Sequence, residues 1–122
     1  MLTLPSSVRV FVARSPVDFR KSHDGLFGVV VNVLHESPRS GHLFLFFNKR
    51  RDRIKILFHD GSGLWLFYKR LERGVFESAV HLGGSGAKIE IDMLRLQMLL
   101  QGIDLKHSKI RHQFGARSRR GA

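Results

Sequence analysis

The chain has no cysteine, which excludes disulfides, thiolate metal sites and cysteine nucleophiles and fits a reducing compartment. Long apolar runs are missing as well, and none approaches the roughly 20 residues of a membrane-spanning helix. The opening "MLTLPSSVRV" has neither the basic start nor the long apolar stretch of a secretory signal. A cytoplasmic protein with no membrane partner is expected. Acidic residues are also scarce: 10 Asp plus Glu stand against 21 Lys plus Arg, a formal net charge of +11 on 122 residues. That excess repels itself in a compact fold but is neutralised on a polyanion, whose released counterions supply binding free energy. Nucleic acid is the natural partner.

Recognisable catalytic motifs are lacking too. The histidines, His23, His35, His42, His59, His81, His107 and His112, are scattered and form no His-x-x-x-His pair. "LGGSGAK", Leu82 to Lys88, lacks the Gly-Lys-Ser/Thr of a phosphate-binding loop. Asp52, Asp60 and Asp104 fall at turns, and Asp18 and Asp92 fit helix caps, so no carboxylate cluster converges. The expectation is a non-enzyme with no catalytic residue, metal, cofactor or small-molecule substrate.

What remains describes an ordinary folded domain, 43% hydrophobic and 25% charged. "VRVFVA", Val8 to Ala13, reads as a strand buried at its far end. Ser15, Pro16 and Asp18 resemble a helix start, predicting a helix from about Pro16 to Leu34 that Gly25 and Gly28 weaken, with a break near His23. "HLFLFFN", "RIKILFH" and "LWLFYKRL" follow as three strands separated by the short polar "KRRD" and "DGSG". Connections this short give an antiparallel meander. "AKIEI" supplies a further strand, and "DMLRLQMLLQGID" a helix capped by Asp92 and stopped by Gly102. The expected fold is α+β: an antiparallel meander of four to five strands, with one N-terminal and one C-terminal helix packed on the sheet. The single domain covers residues 1–105. Residues 106–122, with six Lys or Arg and no acid, read as a basic, disordered tail able to contact a polyanion.

With the "DGSG" turn setting His59 opposite Leu64, the hairpin pairs run Phe58 with Trp65, Leu57 with Leu66, Ile56 with Phe67, Lys55 with Tyr68, Ile54 with Lys69 and Arg53 with Arg70. Strand alternation then splits the hairpin into two faces. Ile54, Ile56, Phe58, Trp65 and Phe67, joined by Leu43, Leu45 and Phe47, form the core face. The other carries Arg53, Lys55, Tyr68 and Arg70 at one end and Phe44, Phe46, Leu57 and Leu66 in its middle, which a helix should cover. Tyr68 among cations could stack on a base. The residues proposed to contact DNA are Arg20, Lys21, Lys49, Arg50, Arg51, Arg53, Lys55, Tyr68, Lys69 and Arg70, with Lys106, Lys109, Arg111, Arg117, Arg119 and Arg120 of the tail. As phosphate contacts they position the protein without reading bases.

The succession "VRVFVA", "VDFRKSHDGL", "SGHLFLFFNKRRDRIKIL", "HDGSGLWLFYKRLERGVF" and "LQMLLQGID" resembles the TnpB-type accessory protein of bacterial insertion-sequence-66 elements, from about Val8 to Asp104. The family's Asp-x-Arg-Lys motif falls on Asp18, Arg20 and Lys21, and its Lys-Arg-Leu-Glu motif on Lys69, Arg70, Leu71 and Glu72. The chain departs at His23, where an aromatic or apolar residue is usual, and at "ESAVHLGGSGAKIEI", which replaces a more proline-rich passage. The resemblance implies a non-enzymatic protein encoded beside a separate transposase and supporting DNA transposition. DNA at the element ends and the transposase are the partners expected. The alternative is a protein adaptor for the transposase without direct DNA recognition; RNA binding rests on the same charge but lacks a ribonucleoprotein-type aromatic motif.

Overall fold

Asp60 and Gly61 open the turn between the third and fourth strands, and the register of the hairpin follows from it. Asp60 Oδ1 accepts from the Ser62 and Gly63 amides, and Gly61 takes φ 103°, open to glycine at no steric cost. In the computed structural model, residues 7–78 and 82–104 are described, together with the backbone of Lys109–Ile110. Strand β1 is Val10–Ala13, helix α1 His23–Asn32, β2 Leu43–Phe47, β3 Arg53–His59, β4 Leu64–Arg70, β5 Lys88–Ile91 and α2 Met93–Gln101. The β3–β4 pairs, from His59 with Leu64 to Arg53 with Arg70, are those expected from the turn.

The fold is α+β, with five strands in the order β4-β3-β2-β1-β5. β2, β3 and β4 form the antiparallel meander, and β5 pairs antiparallel with β1. β1 lies parallel to β2, because α1 carries the chain back across the sheet between them. The strand predicted over Ala87–Ile91 is β5. The helix predicted after Asp92 is α2, whose first turn is capped by Asp92 Oδ1 on the Arg95 amide at 2.8 Å. Gly102 ends it with φ 78°. Two further short strands, β6 Ile103–Asp104 and β7 Lys109–Ile110, pair with each other, although the sequence places the second in the tail. Residues 105–108 and the rest of the tail lie outside the described residues.

The first helix differs most from its expected bounds. The helix expected from Pro16 starts only at His23, at the anticipated break, and ends at Asn32. The residues before it are held by the sheet: the Val17 amide donates to Phe47 O at 3.0 Å, and Lys55 Nζ takes the carbonyls of Phe19 and Lys21. A helix through those residues would have to give up these bonds.

Each face of the sheet has its own core. Val10, Val12, Leu43, Leu45, Phe47, Ile54 and Phe58 pack with Leu96 and Leu99 of α2 and with Phe76. On the opposite face Phe11, Ala13, Phe44, Phe46 and Leu57 pack under Leu26 and Val30 of α1. α1 is therefore the helix expected over the second face, covering its apolar middle, while the loop before it reaches over Lys55 at the basic end. Trp65 departs from its predicted core role: it is 47% exposed, stacked on Phe67 at 6.0 Å and tied to Asp60 by its indole N–H.

Candidate nucleic-acid interface

The turn between β2 and β3 is built by Asn48. Its Oδ1 accepts from the Arg53 amide at 3.0 Å and its Nδ2 donates to Asp52 at 2.6 Å. That donor, with Arg50 and Arg53 nearby, holds the Asp52 carboxyl below the usual range. Two backbone bonds clamp the turn from outside, Leu71 N to Asp52 O at 2.9 Å and Phe76 N to Arg51 O at 2.7 Å. Lys49 and Arg50 project from it, exposed. Arg51 does not join them. Its backbone sits at φ 59° and its Nη1 donates to Phe76 O at 3.1 Å, so its guanidinium faces the neighbouring loop.

Beside the turn, Arg53 and Arg70 stand directly opposite each other on β3 and β4. Arg53 Nη1 donates to the Tyr68 hydroxyl at 3.2 Å, and Tyr68 is 53% exposed. The Tyr68 ring meets Phe19 edge-on at 5.9 Å, which brings the loop carrying Arg20 and Lys21 to this end of the sheet. Arg20 is already engaged. Its guanidinium forks onto Asp18, with Nη2 at 2.6 Å from Oδ2, and the pairing holds the Asp18 carboxyl well below its usual range. Lys21 is exposed.

The structure places two of the proposed contacts away from this surface. Lys55 is 5% exposed, its Nζ donating to Phe19 O at 2.8 Å and Lys21 O at 2.7 Å, with the Phe19 ring at 4.8 Å and the Tyr68 ring at 5.3 Å. Two carbonyls and two aromatic rings enclose the ammonium, so it is a structural clamp beyond the reach of a phosphate. Lys69 is paired with Ile54 and so faces the opposite side of the sheet from Arg70, its Nζ donating to Leu100 O at 2.8 Å at the end of α2. Alternation along β4 forces this separation. Lys106, Arg111, Arg117, Arg119 and Arg120 lie outside the described residues, and Lys109 is described only as backbone.

The surface that results is an end of the second face carrying Lys21, Lys49, Arg50, Arg53 and Arg70 around Tyr68. The ion pairs among the described residues are Arg9 with Glu90, Arg20 with Asp18, Lys88 with Glu36 and Arg95 with Glu77, and none includes those five cations. Sequence reasoning missed Asn48 and Phe19, which build the site, and gave Asp18 only as a helix cap and a motif residue. An Asx residue opening a short polar turn was the available signal for Asn48. No group of His, Cys, Asp or Glu suited to a metal ion occurs among the described residues, and no described helix is long and apolar enough to cross a membrane.

The IS66 Orf2 like protein family matches residues 8–110, a span that takes in both sheet faces and the cationic end. The chain belongs to that family. Membership associates it with insertion-sequence transposition, as an accessory protein. Two relatives from Sinorhizobium fredii (strain NBRC 101917 / NGR234) are similar. Uncharacterized protein y4hO is 37% identical over 107 residues, spanning 88% of this chain and 90% of the relative. Uncharacterized protein y4jC is 44% identical over 69 residues, spanning 57% and 59%. No solved structure matches.

Proposed function

We propose that this IS66 Orf2-like protein is a non-enzymatic accessory factor that supports transposition by holding DNA through phosphate contacts at the cationic end of its sheet. The observation that carries the reading is the Arg53–Arg70 cross-strand pair. Like charges directly opposite in a sheet are unfavourable, and here Lys49 and Arg50 add to them from the adjacent turn. A phosphodiester backbone laid across these groups would supply the countercharge, and Tyr68 would offer a ring face to an unpaired base.

The test is duplex binding as a function of salt, using element-end DNA and a variant with Lys49, Arg50, Arg53 and Arg70 all changed to Gln. Each lost phosphate contact lowers the slope of log K against log salt by about 0.9, so the variant should lose about 3 to 4 units of slope. Equal slopes and affinities for the two proteins would overturn the proposal. A second reading, an adaptor docking on the transposase, is favoured by Leu94 and Met93 on α2, 66% and 39% exposed. Transposase capture that survives nuclease digestion and is lost in Leu94→Glu would support it over direct DNA binding.

A further inference from the structure

The two edges of the main sheet differ in kind. β5 is only four residues long, and side chains cross it: Glu90 is salt-bridged to Arg9, just before β1, and Lys88 reaches Leu34 O and Glu36. Short strands with crossing charges are how edges are kept from pairing with other chains. β4 is seven residues long, and its middle, Leu64 to Tyr68, is wholly apolar or aromatic.

The turn shows which backbone groups of β4 face outward. Asp60 N donates to Gly63 O, and Leu71 N donates to Asp52 O, so the 60–63 and 52–71 pairs are hydrogen-bonded. Hydrogen-bonded and non-bonded pairs alternate in an antiparallel ladder. Trp65, Phe67 and Lys69 thus bond inward to β3, while Leu64, Leu66, Tyr68 and Arg70 turn their N–H and C=O groups to the edge that no described strand covers. The charges along this edge are polarised. Asp60 closes one end, held as a firm carboxylate by the Ser62 amide, the Trp65 indole and the Gly63 amide, and it makes no ion pair among the described residues. The other end carries Lys69, Arg70 and Arg73 against Glu72.

We propose that β4 is a self-complementary edge that pairs antiparallel with β4 of a second copy of this chain, about a two-fold axis at Phe67. In this register the outward-facing residues meet one another, Leu64 with the second copy's Arg70 and Leu66 with its Tyr68. The Phe67 side chains face each other across the axis, and each Trp65 lies opposite a Lys69. The turn bearing Asp60 comes beside the basic end of the other strand, so opposite charges align at both ends. A parallel arrangement would set Arg70 beside Arg70. The interface is isologous and closes on itself as a ten-stranded sheet. It does not depend on DNA binding, although it sets the two Arg70 side chains on one face about 20 Å apart along the strand direction.

The chain has no cysteine, so a single introduced one reports the register. Opposed Cα atoms at a non-hydrogen-bonded antiparallel pair lie about 4.5 Å apart, within disulfide range. Phe67→Cys should form a covalent dimer under mild oxidation. Trp65→Cys, whose two copies would be about 13 Å apart, should not. The unmodified chain should sediment at about twice its 14.0 kDa mass. Hydrogen exchange on the same unmodified chain needs no variant to fold: the amides of Leu64, Leu66, Tyr68 and Arg70 should slow by about tenfold or more as concentration rises. A monomer at all concentrations, concentration-independent exchange at those amides, or equal cross-linking of the two cysteine variants would overturn the proposal.

Discussion

Replacing Lys55 with Met separates a structural lysine from a DNA-binding one. Met keeps the length of the side chain and its burial but removes two charge-assisted hydrogen bonds, to Phe19 O and Lys21 O, and two ring contacts. Each such hydrogen bond contributes about 1.5 to 3 kcal/mol, and each cation–ring contact about 0.5 to 2 kcal/mol where water is excluded. Against this, the variant no longer desolvates an ammonium, which recovers several kcal/mol. The carbonyls left behind are only partly buried, so water takes over some of their bonding. The net cost expected is about 2 kcal/mol, a fall in Tm of about 8 °C for a domain of this size. The assay is thermal unfolding followed by circular dichroism, paired with duplex binding well below the midpoint. Tm should fall while the salt slope of binding stays that of the unmodified protein. An unchanged Tm with a reduced slope would mean that the ammonium reaches a phosphate, and the enclosure described here would be wrong.

Two other perturbations address the fold. A Cβ at Gly102 would lie 2.8 Å from Leu71 Cδ1, at a φ of 78° that L-residues rarely adopt, so Gly102→Ala should cost about 1 to 3 kcal/mol, read as a lower denaturation midpoint. The Asp60 carboxyl is held well below its usual range by the Ser62 amide, the Trp65 indole and the Gly63 amide. A depressed folded-state pKa contributes stability that is present above the unfolded value of about 3.9 and is lost as pH falls through the folded value. Between pH 5 and pH 2 the unmodified chain should therefore lose stability more steeply than Asp60→Ala, with the fluorescence of the single tryptophan reporting loss of the indole bond. Parallel acid-unfolding curves would refute that account.

The hairpin was legible because two independent signals agree on it. The Asp60-Gly61 turn sets one end of the register, and the alternation of Ile54, Ile56 and Phe58 against Leu57 and Lys55 confirms the face. α2 was equally plain, with Asp92 at one end and Gly102 at the other. The start of α1 was misplaced because Ser15 and Pro16 form a valid local cap that long-range bonds override. Val17 bonds to Phe47, thirty residues away, and local propensity carries no record of that partner. Lys55 shows the same limit within the site. Strand periodicity placed it correctly on the basic face, yet its burial depends on a loop that only the assembled fold brings over it. Lys69 differs in kind, since the alternation already set it on the other face of the sheet from Arg70. Grouping it with the other cations followed the charge and neglected the face.

The uneven charge of the molecule follows from where its few carboxylates are spent. Glu90 and Glu36 neutralise cations at the β5 side of the sheet, and Glu77 neutralises Arg95 on α2. At the β4 side, Asp52 is turned into the Asn48 turn, and Arg53 faces Arg70 with no acid between them. A carboxylate at either arginine position would remove a repulsion and add an attraction, together about 0.4 to 2 kcal/mol at low salt. A sheet shaped by stability alone would gain from that exchange. On the proposed reading the repulsion persists because it is relieved when a polyanion binds, so part of the electrostatic cost borne by the free protein reappears as affinity. On that reading the strength of DNA binding is tied to the same two arginines that weaken the free sheet.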